Sequence, residues 1–208
     1  MNTFKRLMLV LVGVMLVGLG IAINLANNWG SDPATVFAHA LSLKFNAKGL
    51  SFFTVGNVLI LINLIVFIVL TITDKFKYYN IGTFAGTFCI GIFSDMWFNI
   101  ISDAVVNLNS LVFKIVWLLL GALILSTGIG LYVAGDMGAS PIDLISVAIS
   151  DHFKKLSYPI VRIVCDLIFA ILGWILGGVV GLTTILCMFL IGPISGFVIK
   201  YAKKICKF

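Results

Sequence analysis

Glutamate and glutamine are absent from this chain, and all eight acidic residues are aspartate. Charged residues make up only 11% of it, against about 25% in an average soluble domain, while 61% is hydrophobic. A soluble fold this apolar could not cover its own surface with polar atoms, so lipid is the expected outer solvent. Cysteine is scarce as well. Cys89, Cys165 and Cys187 lie in apolar runs and Cys206 lies near the C-terminus, with no CxxC and no adjacent histidine. Neither a disulfide framework nor a zinc site is expected, and the thiols read as small buried hydrophobes. HExxH, GxSxG and a Walker loop are missing too, and the two histidines stand alone. That excludes a recognisable nucleophile–base pair or metal centre, so no catalytic residue, cofactor or enzymatic activity is expected. The net charge of +6 does not mark a nucleic-acid binder, because the lysines sit at segment ends. Lys5 with Arg6, and Lys200, Lys203, Lys204 and Lys207, suit cytoplasmic anchors facing anionic headgroups. Twelve of the fourteen basic residues are lysine, which fits an AT-rich bacterial genome.

Long apolar runs are what the chain has in abundance. Residues 7–26, 53–72, 81–101, 115–134, 159–176 and 179–199 each approach the roughly 20 residues that cross about 30 Å of hydrocarbon. The first run follows a Lys-Arg pair as a signal peptide would. It is too long for one, lacks a small-x-small site before Asn27, and recurs later, so it is expected to be retained.

The recurrence is the main organising feature. One constant offset pairs Gly13 with Gly121, Gly20 with Gly128, Ile21 with Ile129, Ala26 with Ala134, Gly30 with Gly138 and Pro33 with Pro141. A slightly shorter offset then pairs Thr83 with Thr184, Phe88 with Phe189, Ile90 with Ile191, Gly91 with Gly192 and Ser94 with Ser195. The chain therefore reads as one all-α polytopic membrane domain over 1–208. Repeat 1 covers about 7–101, repeat 2 about 115–202, and a connector at 102–114 carries Asp103, Asn107 and Asn109.

Each copy also holds a short helical segment, 33–45 and 141–153, of about 13 residues and about 20 Å, too short to cross. Their starts are strongly marked. Gly30-Ser31-Asp32-Pro33 and Gly138-Ala139-Ser140-Pro141 each supply a flexible glycine, an N-cap oxygen and a proline at the first helical position. Asp143 adds a capping-box acid three residues after Ser140. If these helices re-enter the membrane or lie at its surface, each copy crosses three times and the copies are inverted. If they cross, each copy crosses four times and the copies are parallel. Six spans place Lys5, Arg6, Lys75, Lys77, Lys154, Lys155, Arg162 and the C-terminal lysines inside, with Lys44, Lys48 and Lys114 outside. Eight spans exchange Lys75 and Lys77 for those three, so charge counting does not choose. Both schemes put both termini in the cytoplasm. Segment length favours six spans and inverted copies.

Two capped helix N-termini related by pseudo-symmetry would suit an anion or polar substrate, since each carries about half a positive charge. Asp32 at one cap offsets that charge and would suit a cation, proton or amine; Ser140 stands at the other. The alternative is plain capping of helices lying at the interface. Asp166 falls near mid-depth, where a charge costs roughly 2.5–3.5 kcal/mol on insertion scales. Arg162, one turn earlier, either pairs with it or snorkels to the interface. Asp95, opposite Gly196 in the repeat, is an interfacial residue or a gate. Asp136 matches Asn28, and Tyr132 matches Asn24, at the expected cavity mouth. His39 shares a helix face with Asp32 and Thr35 and is a relay or a structural histidine.

The signature G-x-G-I-A-x-x-L-A-x-x-x-G-S-D-P at 18–33, its second copy ending Gly138-Ala-Ser-Pro-Ile-Asp143, and Ile81-Gly-Thr83 followed by Ile90-Gly-Ile-Phe-Ser-Asp95 resemble the YczE/YyaS/YitT group of bacterial integral membrane proteins. Lacking the C-terminal soluble domain of YitT-like members, the sequence is closer to the short YczE-like type. The resemblance implies a multi-pass membrane protein and brings neither a substrate nor catalytic residues. The leading expectation is a small-molecule or ion transporter of the bacterial inner membrane. Its runner-up is a non-transporting accessory protein that binds a partner or lipid. Under six spans, a single cysteine at Ala47, with the native four removed, labels from outside intact cells; labelling from the cytoplasmic side alone would reject that topology.

Overall fold

A computed structural model describes residues 3–74, 79–106, 110–153 and 158–205. All the secondary structure in them is helical: α1 (Thr3–Asn27), α2 (Pro33–Ala47), α3 (Val55–Asp74), α4 (Ile81–Val106), α5 (Leu111–Ala134), α6 (Pro141–His152), α7 (Tyr158–Ile175) and α8 (Leu182–Ile205). Each expected span and each short helix has its counterpart. Among the described residues, α1, α3, α4, α5 and α8 are long and apolar enough to cross a membrane. The expected span at 159–176 forms as α7, an 18-residue helix that carries Arg162 and Asp166. The connector is shorter than expected. α4 continues through Ser102 and Asp103 to Val106, and α5 already includes Lys114. Asn107 and Asn109 lie outside the described residues, as do Lys75, Lys77, Tyr78, Lys154, Lys155, Lys207 and Cys206.

The core is built on α1 against α5. Val10, Val14, Val17 and Ile21 are buried there with Ala122, Leu125 and Tyr132. Lipid tails are as apolar as leucine, so helices in a membrane gain little from hiding apolar surface from one another. Close backbone packing through small residues must supply the attraction instead. The seam shows this. A Cβ on Gly13 would stand 2.5 Å from Tyr132 N, and one on Gly20 would stand 2.6 Å from Leu125 N. Reciprocally, a Cβ on Gly128 would stand 2.6 Å from Val17 N, and one on Gly121 would meet Asn24 Oδ1. Residue numbers fall in α5 as they rise in α1, so the two helices run antiparallel.

The remaining helices attach to this pair in matched fashion. α4 packs on α1 and α8 on α5; α2 packs on α3 and α7, and α6 on α7 and α3. Large side chains on the outer faces, such as Ile72, Ile100, Trp174, Phe189 and Phe197, are exposed and apolar, which suits contact with a bilayer. Gly128→Ala forces the seam apart; overpacking of about 1–3 kcal/mol lowers Tm by roughly 2–12 °C for a chain of this size. Gly192→Ala, whose new methyl meets nothing within 4 Å, leaves Tm unchanged in the same detergent melt.

Candidate functional site

The two chain breaks share one backbone design. After α1, Asn28 (φ 53°) and Gly30 (φ 91°) turn left-handed; after α5, Asp136 (φ 54°) and Gly138 (φ 100°) do the same. Glycine is required at the second position, where a side chain would be strained and where a Cβ would fall 2.5 Å from Thr184 Oγ1 or Thr83 Oγ1 respectively. Each break is held by the opposite half. The Thr183 N–H donates to Trp29 O (3.1 Å), and the Gly82 N–H donates to Met137 O (2.7 Å). The Tyr132 hydroxyl, fully buried, donates to Gly82 O at 2.8 Å.

These turns deliver the capped N-termini of α2 and α6. The Asp32 carboxylate accepts from the Thr35 N–H and the Ser31 hydroxyl, both at 3.2 Å. Ser140 Oγ accepts from the Asp143 N–H (3.4 Å), and its hydroxyl donates to Asp143 Oδ2 (2.7 Å). The other Asp143 oxygen pairs with Arg162, whose Nε also donates to Asp166 Oδ2 at 3.2 Å. The cluster is largely sealed: the side chains of Arg162, Asp143 and Asp166 are 20%, 17% and 8% exposed. Arg162 thus bridges two carboxylates, α6 to α7.

Asp32, Ser140, Asp143 and Arg162 line one central cavity of ≈60 Å³, together with Val17 and Ile21 of α1 and Leu125 and Ile129 of α5. These residues lie near the middle of the α1–α5 seam. Thr35 lines it too; its side chain is fully buried and its hydroxyl makes no hydrogen bond of normal geometry. A larger cavity of ≈640 Å³ adjoins it across Ile129, Asp143, Arg162 and Ile191 and opens between α7 and α8, where Asp166, Gly192 and Gly196 border it.

Other expected site residues lie elsewhere. Asp136 stands 3.8 Å from Arg6 at the C-terminal end of α5, 60% exposed, away from the cluster. Asp95 joins α4 to the start of α3, accepting from the Gly56 N–H at 2.8 Å and the Thr54 hydroxyl at 2.5 Å. His39 faces a separate cavity of ≈270 Å³ with Asp95, not the Asp32 cavity. Asn24 is buried against Gly121. Two contributors went unnoticed in the sequence. Asn63 of α3 accepts from the Ile142 N–H at 3.3 Å, a second cap on α6. Its signal was a lone amide in the middle of an apolar run. Thr35 was noted only as a neighbour of His39.

A family model described as a family of unknown function, DUF6198, matches residues 4–200. The chain belongs to the DUF6198 family. This DUF6198 chain is 28% identical over 194 residues to an uncharacterized Haemophilus influenzae protein, covering 93% of this chain and 83% of that one. It is 26% identical over 181 residues to the uncharacterized protein YyaS of Bacillus subtilis, covering 87% and 86%. The YyaS-like character read from the paired motifs therefore stands, and the relatives and apolar helices together make it a bacterial membrane protein. No solved structure matches the chain.

The bridging arginine changes the expected outcome of charge removal. Arg162→Leu strands two buried carboxylates and costs about 3–5 kcal/mol, by the behaviour of buried pairs in soluble proteins. Adding Asp166→Leu recovers part of that loss, and adding Asp143→Leu recovers the rest, read as Tm in detergent. Full recovery in the Arg162→Leu/Asp166→Leu double variant would mean that Asp143 is no part of the cluster.

Proposed function

We propose that the protein is a transporter of a small molecule or ion in the bacterial inner membrane, built from two inverted repeats with both termini cytoplasmic. The observation that carries this is the convergence of the α2 and α6 N-termini, one from each half, on a cavity that also holds Asp143 and Arg162. Broken helices meeting near mid-depth at a repeat interface are the recurrent substrate site of secondary transporters. Intramembrane charge is expensive unless it has work to do or a partner, and here it gathers in one place.

The antiparallel run of α1 and α5 supports inversion. Equivalent helices running in opposite senses need an odd number of crossings per copy, which α1, α3 and α4 supply if α2 does not cross. The equivalent hydrogen bonds at the two breaks, Thr183 to Trp29 and Gly82 to Met137, fit the same two-fold relation.

Alternating access needs two gates in opposite states, and the halves differ in that way. α3 and α4 are closed on each other: a Cβ on Gly56 would collide with Gly91 O, and Asp95 ties the start of α3 down. At the equivalent places on α8, Gly192 and Gly196 meet nothing within 4 Å and border the open cavity. Pro193 lies inside α8 at that level, where it removes a backbone hydrogen bond and loosens the helix. Under the proposed topology the chain is closed outside and open inside.

Thiol labelling in vesicles of defined orientation tests this. Gly192→Cys, in a cysteine-free background, labels from the cytoplasmic side. Adding Asp95→Ala releases the outer closure, lowers that labelling several-fold and lets Leu59→Cys, buried on the central cavity, label from outside. Gly192→Cys labelling indifferent to Asp95→Ala would point to a static membrane protein.

A further inference from the structure

We infer that the ligand of this site is an organic cation, a primary ammonium carrying an apolar body; the inference rests on the transport reading and gives its substrate class. The sign follows from the charges present. Among the described residues, the charged side chains bordering the central and α7–α8 cavities are Asp32, Asp143, Asp166 and Arg162, three carboxylates to one guanidinium. The two helix N-termini add about half a positive charge each. With all three carboxylates ionised, that leaves the site near one negative charge in a medium where an uncompensated charge is costly. An anion would deepen the imbalance, and a monovalent cation closes it.

The acceptors left over agree. Arg162 holds Asp166 through Oδ2, and Asp166 borders the α7–α8 cavity. Thr35 Oγ1, buried and without a hydrogen bond of normal geometry, borders the central cavity. A –NH₃⁺ group brings three donors and no acceptor, which complements carboxylate and hydroxyl oxygens. A cavity of ≈60 Å³ takes a head group of that size but no bulky quaternary centre.

Shape supplies the rest of the ligand. The adjoining ≈640 Å³ cavity is lined largely by apolar side chains such as Val133, Met188, Phe189 and Ile199. Its volume falls in the range of about 300–1,000 Å³ typical of organic-ligand pockets. A bare inorganic cation would leave this volume unused; an alkyl or aryl chain fills it, with the charged end where the two cavities meet at Asp143 and Arg162, Asp32 bordering one side and Asp166 the other.

The experiment is ligand-dependent melting of the intact protein in lipid nanodiscs with hexylammonium, hexanoate and hexanol. Hexylammonium raises Tm saturably, by about 5 °C or more at a hundredfold excess over Kd, while hexanoate and hexanol do not. Propyl-, butyl- and hexylammonium bind about fourfold more tightly per added methylene as the apolar body is buried. Asp166→Asn abolishes the hexylammonium shift. Should that variant fail to fold, Asp32→Asn reports instead, with the shift reduced at least tenfold in apparent affinity. A shift with hexanoate alone overturns the cation assignment and leaves transport standing. Equal shifts with hexanol mean bilayer partitioning and overturn it too. No shift with any of the three overturns it as well, and the vesicle labelling then judges transport independently.

Discussion

Two helices that press glycine against backbone set the frame for everything else in this molecule. Water drives no collapse within a bilayer, so α1 and α5 hold together only to the extent that their backbones approach. Gly13, Gly20, Gly121 and Gly128 permit that approach from both sides of the seam. α4 then rests on α1 and α8 on α5. The two breaks that follow α1 and α5 are positioned by residues at the starts of α8 and α4. The central cavity is a by-product of this order, since it lies where the seam, the broken segments and α7 meet.

Most of the architecture was legible because its signals are local. Apolar runs of crossing length, glycine–cap–proline starts and the two constant offsets are written in contiguous residues, and the helices follow them within a few positions. The Arg162–Asp166 pair was legible for the same reason, being one helical turn apart. What escaped was long-range. Nothing along the chain says that Asp143 of α6 meets Arg162 of α7, or that Asn63 of α3 caps α6. Asp136 was placed at the cavity mouth by analogy with Asn28, yet Arg6 at the other end of α1 draws it to the surface. His39 sits on the same helix face as Asp32 but far enough along it to reach a different cavity.

The halves share a scaffold and divide the chemistry between them. Where α7 carries Arg162 and Asp166, α3 carries no charged residue before Asp74 at its end. Where α4 has Asp95 and Ile92, α8 has Gly196 and Pro193. The first substitution set concentrates charge on one side of the cavity. The second lets one helix pair zip shut while the other stands apart. Two identical halves could have neither feature.

The mutual bracing of the breaks has a consequence for how the protein is made. Trp29 and Gly30 are held by residues 181–184, at the start of the last helix. At about 5–20 residues per second, the roughly 150 residues between them take on the order of ten seconds to synthesise. Throughout that interval α2 has its α3 contacts but not those with α7 and α8, and the turn at Trp29 and Gly30 waits for its partner residues. A chain ending before Gly181 would have nothing to close on Trp29, so the first break is completed only when the last helix has been made.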